Sequence, residues 1–285
     1  MRRAPEPADK LGRPAIWPIV LAYPVGFFLA QGACVGVVLA VAVIRAGPRR
    51  EQIVDEFTRF ALSSHGVMVQ GLINAVVLAT VAVTTARCLG KDIFGSLRLR
   101  PSAATTVGVC AAATGMLGIG LSCGAASELL RVRGHGVMEL LAKALLLPTP
   151  AAFIAGIVAI GVAPGVAEET FFRGLIQTRL SSRWGRWPAI VATSAAFGLF
   201  HIDPVQGVAA FVSGLFLGWT AERCAGVRPT IVAHATNNAL FVTVASFAGS
   251  GDTPRRLQFA VLVLGALLFA LSTAVMRSRA AVRER

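Results

Sequence analysis

Residues 151–174 read AAFIAGIVAIGVAPGVAEETFFRG. The first sixteen are almost wholly apolar and could form the middle of a membrane helix; Glu168, Glu169 and Arg173 then follow in quick succession. An ionised group at bilayer depth costs about 2.5–3.5 kcal/mol on insertion scales, so this cluster needs compensation. On a helix, Glu169 and Arg173 stand at i and i+4, on one face and in the favourable order for an internal ion pair. Glu168 lies about 100° around the helix from that face and must meet a different polar group.

The rest of the chain repeats the apolar pattern. Of 285 residues, 55% are hydrophobic and 14% charged, and the mean hydropathy is +0.69. Windows of roughly 17–25 apolar residues suffice to cross a bilayer core as helices. Eight occur, at 16–44, 66–86, 103–125, 150–176, 188–204, 206–221, 229–248 and 257–276. The expected fold is an all-α polytopic membrane bundle of about eight transmembrane helices. Windows five and six are the weakest, because Asp203 and Pro204 divide two short halves that could instead make one bent or re-entrant hairpin.

The net charge of +13 is spread over many loops rather than gathered in one soluble domain, which argues against a nucleic-acid partner. It fits the positive-inside rule. Eight spans with both termini in the cytoplasm place 17 Lys and Arg in inside segments against 9 outside. The expected location is the cell membrane. The five cysteines form no CxxC pair and read as small buried hydrophobes rather than disulfides or metal ligands.

Four regions are expected: a disordered tail at 1–15, a scaffold of spans and interfacial segments at 16–146, a functional core at 147–248, and a final span with a basic tail at 249–285. Residues 45–65 and 127–147 combine charge with apolar residues at helical spacing, as surface-lying helices do. Gln31, Gln70 and Asn74, in the early spans, read as interhelical hydrogen-bond glue. Harder polar residues lie later. FGLFHIDP places Phe197 and His201 at i and i+4, and HATNN does the same for His234 and Asn238. The economical way to bury two histidines, an unpaired glutamate and a carboxamide is to bury them together.

Such a cavity has two chemical readings. A carboxylate beside an imidazole can take a proton from water while His and Asn donate to a developing oxyanion. Alternatively, Glu168, His201 and His234 could ligate a divalent metal such as zinc and leave a position open for water. Spacing alone leaves both open.

Glu168-Glu169-x-x-x-Arg173, Phe197-x-x-x-His201 and His234-x-x-x-Asn238, in that order and in separate spans, resemble the CPBP family of intramembrane proteases. That family includes type II CAAX prenyl endopeptidases and bacterial members linked to bacteriocin processing or self-immunity. FVSGLFLGW at 211–219 is similar to the family's glycine-containing helix. The resemblance implies an eight-helix fold with a cavity open to the cytoplasm and a membrane-associated protein or lipidated peptide as substrate. It implies that Glu168 activates water shared with His201, that His234 and Asn238 form the oxyanion site, and that Glu169 and Arg173 support the first motif with Phe197 beside them. Metal-dependent and metal-free versions of the mechanism remain open. A non-catalytic immunity or regulatory protein is the alternative reading. A transporter with a proton relay would call for an inverted repeat and charged groups in both halves, and the sequence has neither.

Overall fold

A computed structural model describes residues 17–90, 92–132, 137–147, 149–247 and 253–278. The expected tail at 1–15 and most of the C-terminal basic tail lie outside these residues. The described residues form helices without strands: α1 (Trp17–Ala46), α2 (Ile53–Ala61), α3 (Ser64–Leu89), the short α4 (Ile93–Ser96), α5 (Thr106–Leu129), α6 (Val137–Ala144), α7 (Pro150–Trp184), α8 (Arg186–Phe200), α9 (Pro204–Arg223), α10 (Arg228–Phe247) and α11 (Arg255–Arg277).

A long helix stands at every one of the eight apolar windows, and among the described residues six of these helices have the length and apolarity of a membrane span: α1, α3, α5, α7, α9 and α11. The two exceptions have different causes. Helix α8 has 15 residues, a length of about 22 Å against a hydrocarbon core of about 30 Å. Helix α10 has 20 residues but carries His234, Asn237 and Asn238. Helices α8 and α9 make a tight hairpin. Asp203 caps α9 by accepting from the Gln206 amide at 2.9 Å, and Pro204 sits in the first turn, where its missing N–H costs nothing. A Cβ on Gly198 would stand 2.8 Å from the Gly207 carbonyl, so the two backbones meet only because both residues are glycine.

Helix α7 organises the bundle. It runs eight residues beyond the apolar window that announced it, and its hydrogen bonding widens twice to the i→i+5 pattern, over Ile157–Val162 and Thr170–Gln177. The Thr178 hydroxyl, just past the second wide segment, donates back to the Arg173 carbonyl within it at 2.9 Å. Its two faces differ. Phe171, Phe172 and Leu175 are fully buried in the main apolar cluster with Ile19 of α1, Leu78 and Ala82 of α3, and Phe197 of α8. Truncating such a phenylalanine to alanine typically costs about 3–5 kcal/mol. Glu169, Arg173 and Gln177, at i, i+4 and i+8, point the other way.

Lipid gives apolar helices no hydrophobic reason to associate, so close packing of small residues must draw α7 and α10 together. Gly161 and Gly165 supply one side of that contact and Ala235 and Ala239 the other. A Cβ on Gly165 would stand 3.0 Å from the Ala235 nitrogen. This approach sets the glutamates of α7 beside His234. From the scaffold, the Tyr23 hydroxyl of α1 donates to the Ala196 carbonyl of α8 at 3.0 Å.

The connector between α4 and α5 is more than a basic loop. Arg98 donates to Glu222 at 2.9 Å and to the Ala221 carbonyl at 2.8 Å, while the Val227 amide donates to the Arg98 carbonyl at 3.2 Å. Arg228 closes the same junction by donating to the Leu99 carbonyl at 2.8 Å.

Candidate active site

Arg173 and Glu169 are fully buried and joined at 2.6 Å. A desolvated pair of this kind holds only with good geometry and further hydrogen bonds; Glu169 Oε1 and Arg173 have them, while Glu169 Oε2 has no hydrogen-bond partner among the described residues. Arg173 also reaches the Gly214 carbonyl of α9 at 3.4 Å and lies over the Phe197 ring at 4.5 Å. Gln177, one turn further along, donates to the Gly218 carbonyl at 3.0 Å and to Glu222 at 2.8 Å. Residues 173 and 177 of α7 thus face 214, 218 and 222 of α9 as a polar ladder across two membrane helices, while Glu169 turns to Arg173 and to His234 of α10. The sequence reading missed Gln177 and Glu222, although their i+4 spacing from Arg173 and from Gly218 was there to find.

His234 stands between the two glutamates. Its Nδ1 lies 2.9 Å from Glu169 Oε1, and its Nε2 lies 3.7 Å from Glu168 Oε2. An ionised carboxylate only accepts, so the Nδ1 proton belongs to the bond with Glu169 and Nε2 turns toward Glu168. His201 is arranged alike: its Nδ1 lies 2.9 Å from the Phe197 carbonyl, which fixes that proton and leaves Nε2 for other partners. The Phe197 ring centroid lies 4.9 Å from that of His201 and 5.8 Å from that of His234, edge-on in both cases. Phe197 therefore touches Arg173 and both imidazoles. Asn238 donates to the Ile160 carbonyl at 3.3 Å, within the first wide segment of α7.

Glu168, Glu169, Arg173, Phe197 and His234 thus form one contiguous group, with His201 joined to it through Phe197. The titratable side chain that Glu168 meets among the described residues is His234, not His201. Among the described residues no three His, Cys, Asp or Glu side chains are grouped closely enough to hold a metal; the Nδ1 bonds of His201 and His234 leave Nε2 of each imidazole as the nitrogen available to a water or a metal.

A separation of 3.7 Å between a carboxylate oxygen and an imidazole nitrogen is too long for a direct hydrogen bond, and a water lying to one side of the pair, rather than in the gap, can reach both atoms. Glu168 keeps 12% of its side chain exposed, whereas Glu169 keeps none. The two neighbouring carboxylates therefore differ in kind, one locked in an ion pair and one facing an accessible space.

These features define a polytopic helical membrane protein with a buried Glu-Arg-His cluster at the meeting of α7, α8, α9 and α10. The family model described as Type II CAAX prenyl endopeptidase Rce1-like matches residues 150–240, which contain every residue of the cluster. That family is a protease family, and the match supports an intramembrane endopeptidase. No curated protein and no solved structure matches the chain.

Proposed function

We propose that the protein hydrolyses a peptide bond of a membrane-associated or lipidated protein, near its C-terminus, with a water held by both Glu168 and His234. The observation that carries this reading is the 3.7 Å gap between Glu168 Oε2 and His234 Nε2, built over a neutralised Glu169–Arg173 pair. Glu168 accepts a proton from the water, and the resulting hydroxide adds to the scissile carbonyl carbon. The carbonyl oxygen, now anionic, accepts from the second N–H of the Asn238 amide, whose first is bound to Ile160. Collapse breaks the C–N bond, and Glu168 returns its proton to the departing amine. His201, whose Nδ1 is held by the Phe197 carbonyl, uses Nε2 to orient the water or the amine. Glu169 and Arg173 position His234 and supply no proton to the substrate.

The test is a fluorogenic-peptide assay on purified protein, with and without metal removal. Glu168→Gln is expected to lower kcat by about 10²- to 10⁴-fold, the usual contribution of a general base, with the fold intact. Undiminished hydrolysis by Glu168→Gln would end the proposal. Full activity of the wild type after metal removal is expected; its loss would transfer the role to a metal.

A further inference from the structure

A second concave site lies on a different face of α9 from the polar ladder. It is a groove of about 470 Å³ between α5, α9 and α11, within the range of about 300–1,000 Å³ typical of small-molecule sites. Ile119 and Cys123 of α5, Phe216 of α9 and Ala266 and Phe269 of α11 form its walls. From Ala266 to Arg277, both of which line it, α11 rises about 16 Å. The groove is therefore long and apolar, the shape of a hydrocarbon chain.

One end differs from the rest. Trp187 and Trp219 line the groove near Arg277, the last residue of α11. Tryptophan is enriched at the level of lipid headgroups, so this end lies at the membrane surface. Arg277 is exposed there, and Arg186 lies over the Trp187 ring at 5.4 Å. Neither arginine has a carboxylate partner among the described residues. The nearby Arg223 spends its guanidinium on the Met276 and Arg277 carbonyls, at 3.0 and 3.1 Å, and so fixes the end of α11. An apolar slot ending in unpaired cations at headgroup depth matches an amphiphile with one negative group.

We infer that this groove binds an anionic phospholipid of the surrounding bilayer, with an acyl chain along α11 and the phosphate beside Arg277. Phe216 forms part of the wall and also packs in the cluster that contains Ala233, the neighbour of His234. The lipid thus braces the back of the helices that carry the Glu-Arg-His group.

The experiment titrates delipidated full-length protein, in neutral detergent, with phosphatidylglycerol or phosphatidylcholine and counts bound lipid by native mass spectrometry. Wild type is expected to retain one phosphatidylglycerol with about a five-fold preference over phosphatidylcholine, the effect of one arginine near an anionic headgroup. Arg277→Gln should bring that preference close to one. Ala266→Trp fills the groove from α11 and should abolish retention while the thermal unfolding curve is unchanged. Val212→Trp, filling it from α9, serves the same purpose should the first variant fold poorly. Equal binding of the two lipids by wild type overturns the inference, as does unaltered retention in a folded groove-filling variant. Displacement of the retained phosphatidylglycerol by a prenylated peptide would also overturn it and assign the groove to substrate.

Discussion

Helices α3 and α7 are both long and apolar with polar residues in their middle, yet they use those residues in opposite ways. In α3, Gln70 donates to the Ala61 and Gly66 carbonyls, and Asn74 donates to the Gln70 carbonyl and to the Cys34 sulfur of α1. All these groups are neutral, and most of the bonds stay on the same helix or the adjoining turn. In α7, Glu169 and Arg173 are charges with no access to solvent, and their remaining hydrogen-bond partners lie on two other helices. Neutral glue can be removed piecemeal. A buried ion pair cannot, because deleting one member leaves the other as an uncompensated charge.

The largest expected effect breaks that pair. Arg173→Met should destabilise the protein by about 3–5 kcal/mol, and the double variant Glu169→Gln/Arg173→Met should recover much of the loss. Thermal unfolding in detergent reads both; a double variant no more stable than the single one would show that the pair does not act as a unit. Next is Gly165→Leu, which forces bulk into the contact with Ala235. Overpacking should cost about 1–3 kcal/mol and move His234 away from Glu168, so hydrolysis should fall more steeply than stability. Gln177→Leu removes two rungs of the ladder, one to a carboxylate, for about 1.5–3 kcal/mol. Because Arg98 still holds Glu222, the lower half of that range is expected. Asn74→Ala is the control from α3. Interhelical hydrogen bonds in membranes average about 0.6 kcal/mol, and a loss comparable to that of Arg173→Met would erase the distinction between the two helices.

The Glu169–Arg173 pair was legible because it lies within one helix, where spacing fixes geometry. The partnership of His234 with both glutamates was not, since it depends on how closely α7 and α10 approach. That distance is set by Gly165 against Ala235, seventy residues apart in the chain. The pairing of Glu168 with His201 through a shared water came from the resemblance and not from spacing; the imidazole recorded beside Glu168 is that of His234. Window lengths also misled at the C-terminal end of α7 and at both ends of α8. Polar helix formers carry α7 on to Trp184, and the next turn leaves α8 only 15 residues. The i→i+5 segments have no spacing signature: Ile157–Val162 is wholly apolar, and Thr170–Gln177 carries Arg173 and Gln177 at the i, i+4 spacing of an ordinary helix.

Those two wide turns have a consequence for how the site tolerates insertions and deletions. Each residue of a regular helix turns the next by about 100°, so an extra residue absorbed in a wide turn resets the azimuth of everything after it. With one such turn before Glu168 and another after Glu169, the direction of these carboxylates depends on chain count as well as on side-chain identity. Deleting a single apolar residue between 157 and 162 would let that turn tighten to the regular pattern and keep Glu168 toward His234, whereas the same deletion between 163 and 167, where the helix is regular, would turn Glu168 away by about 100°.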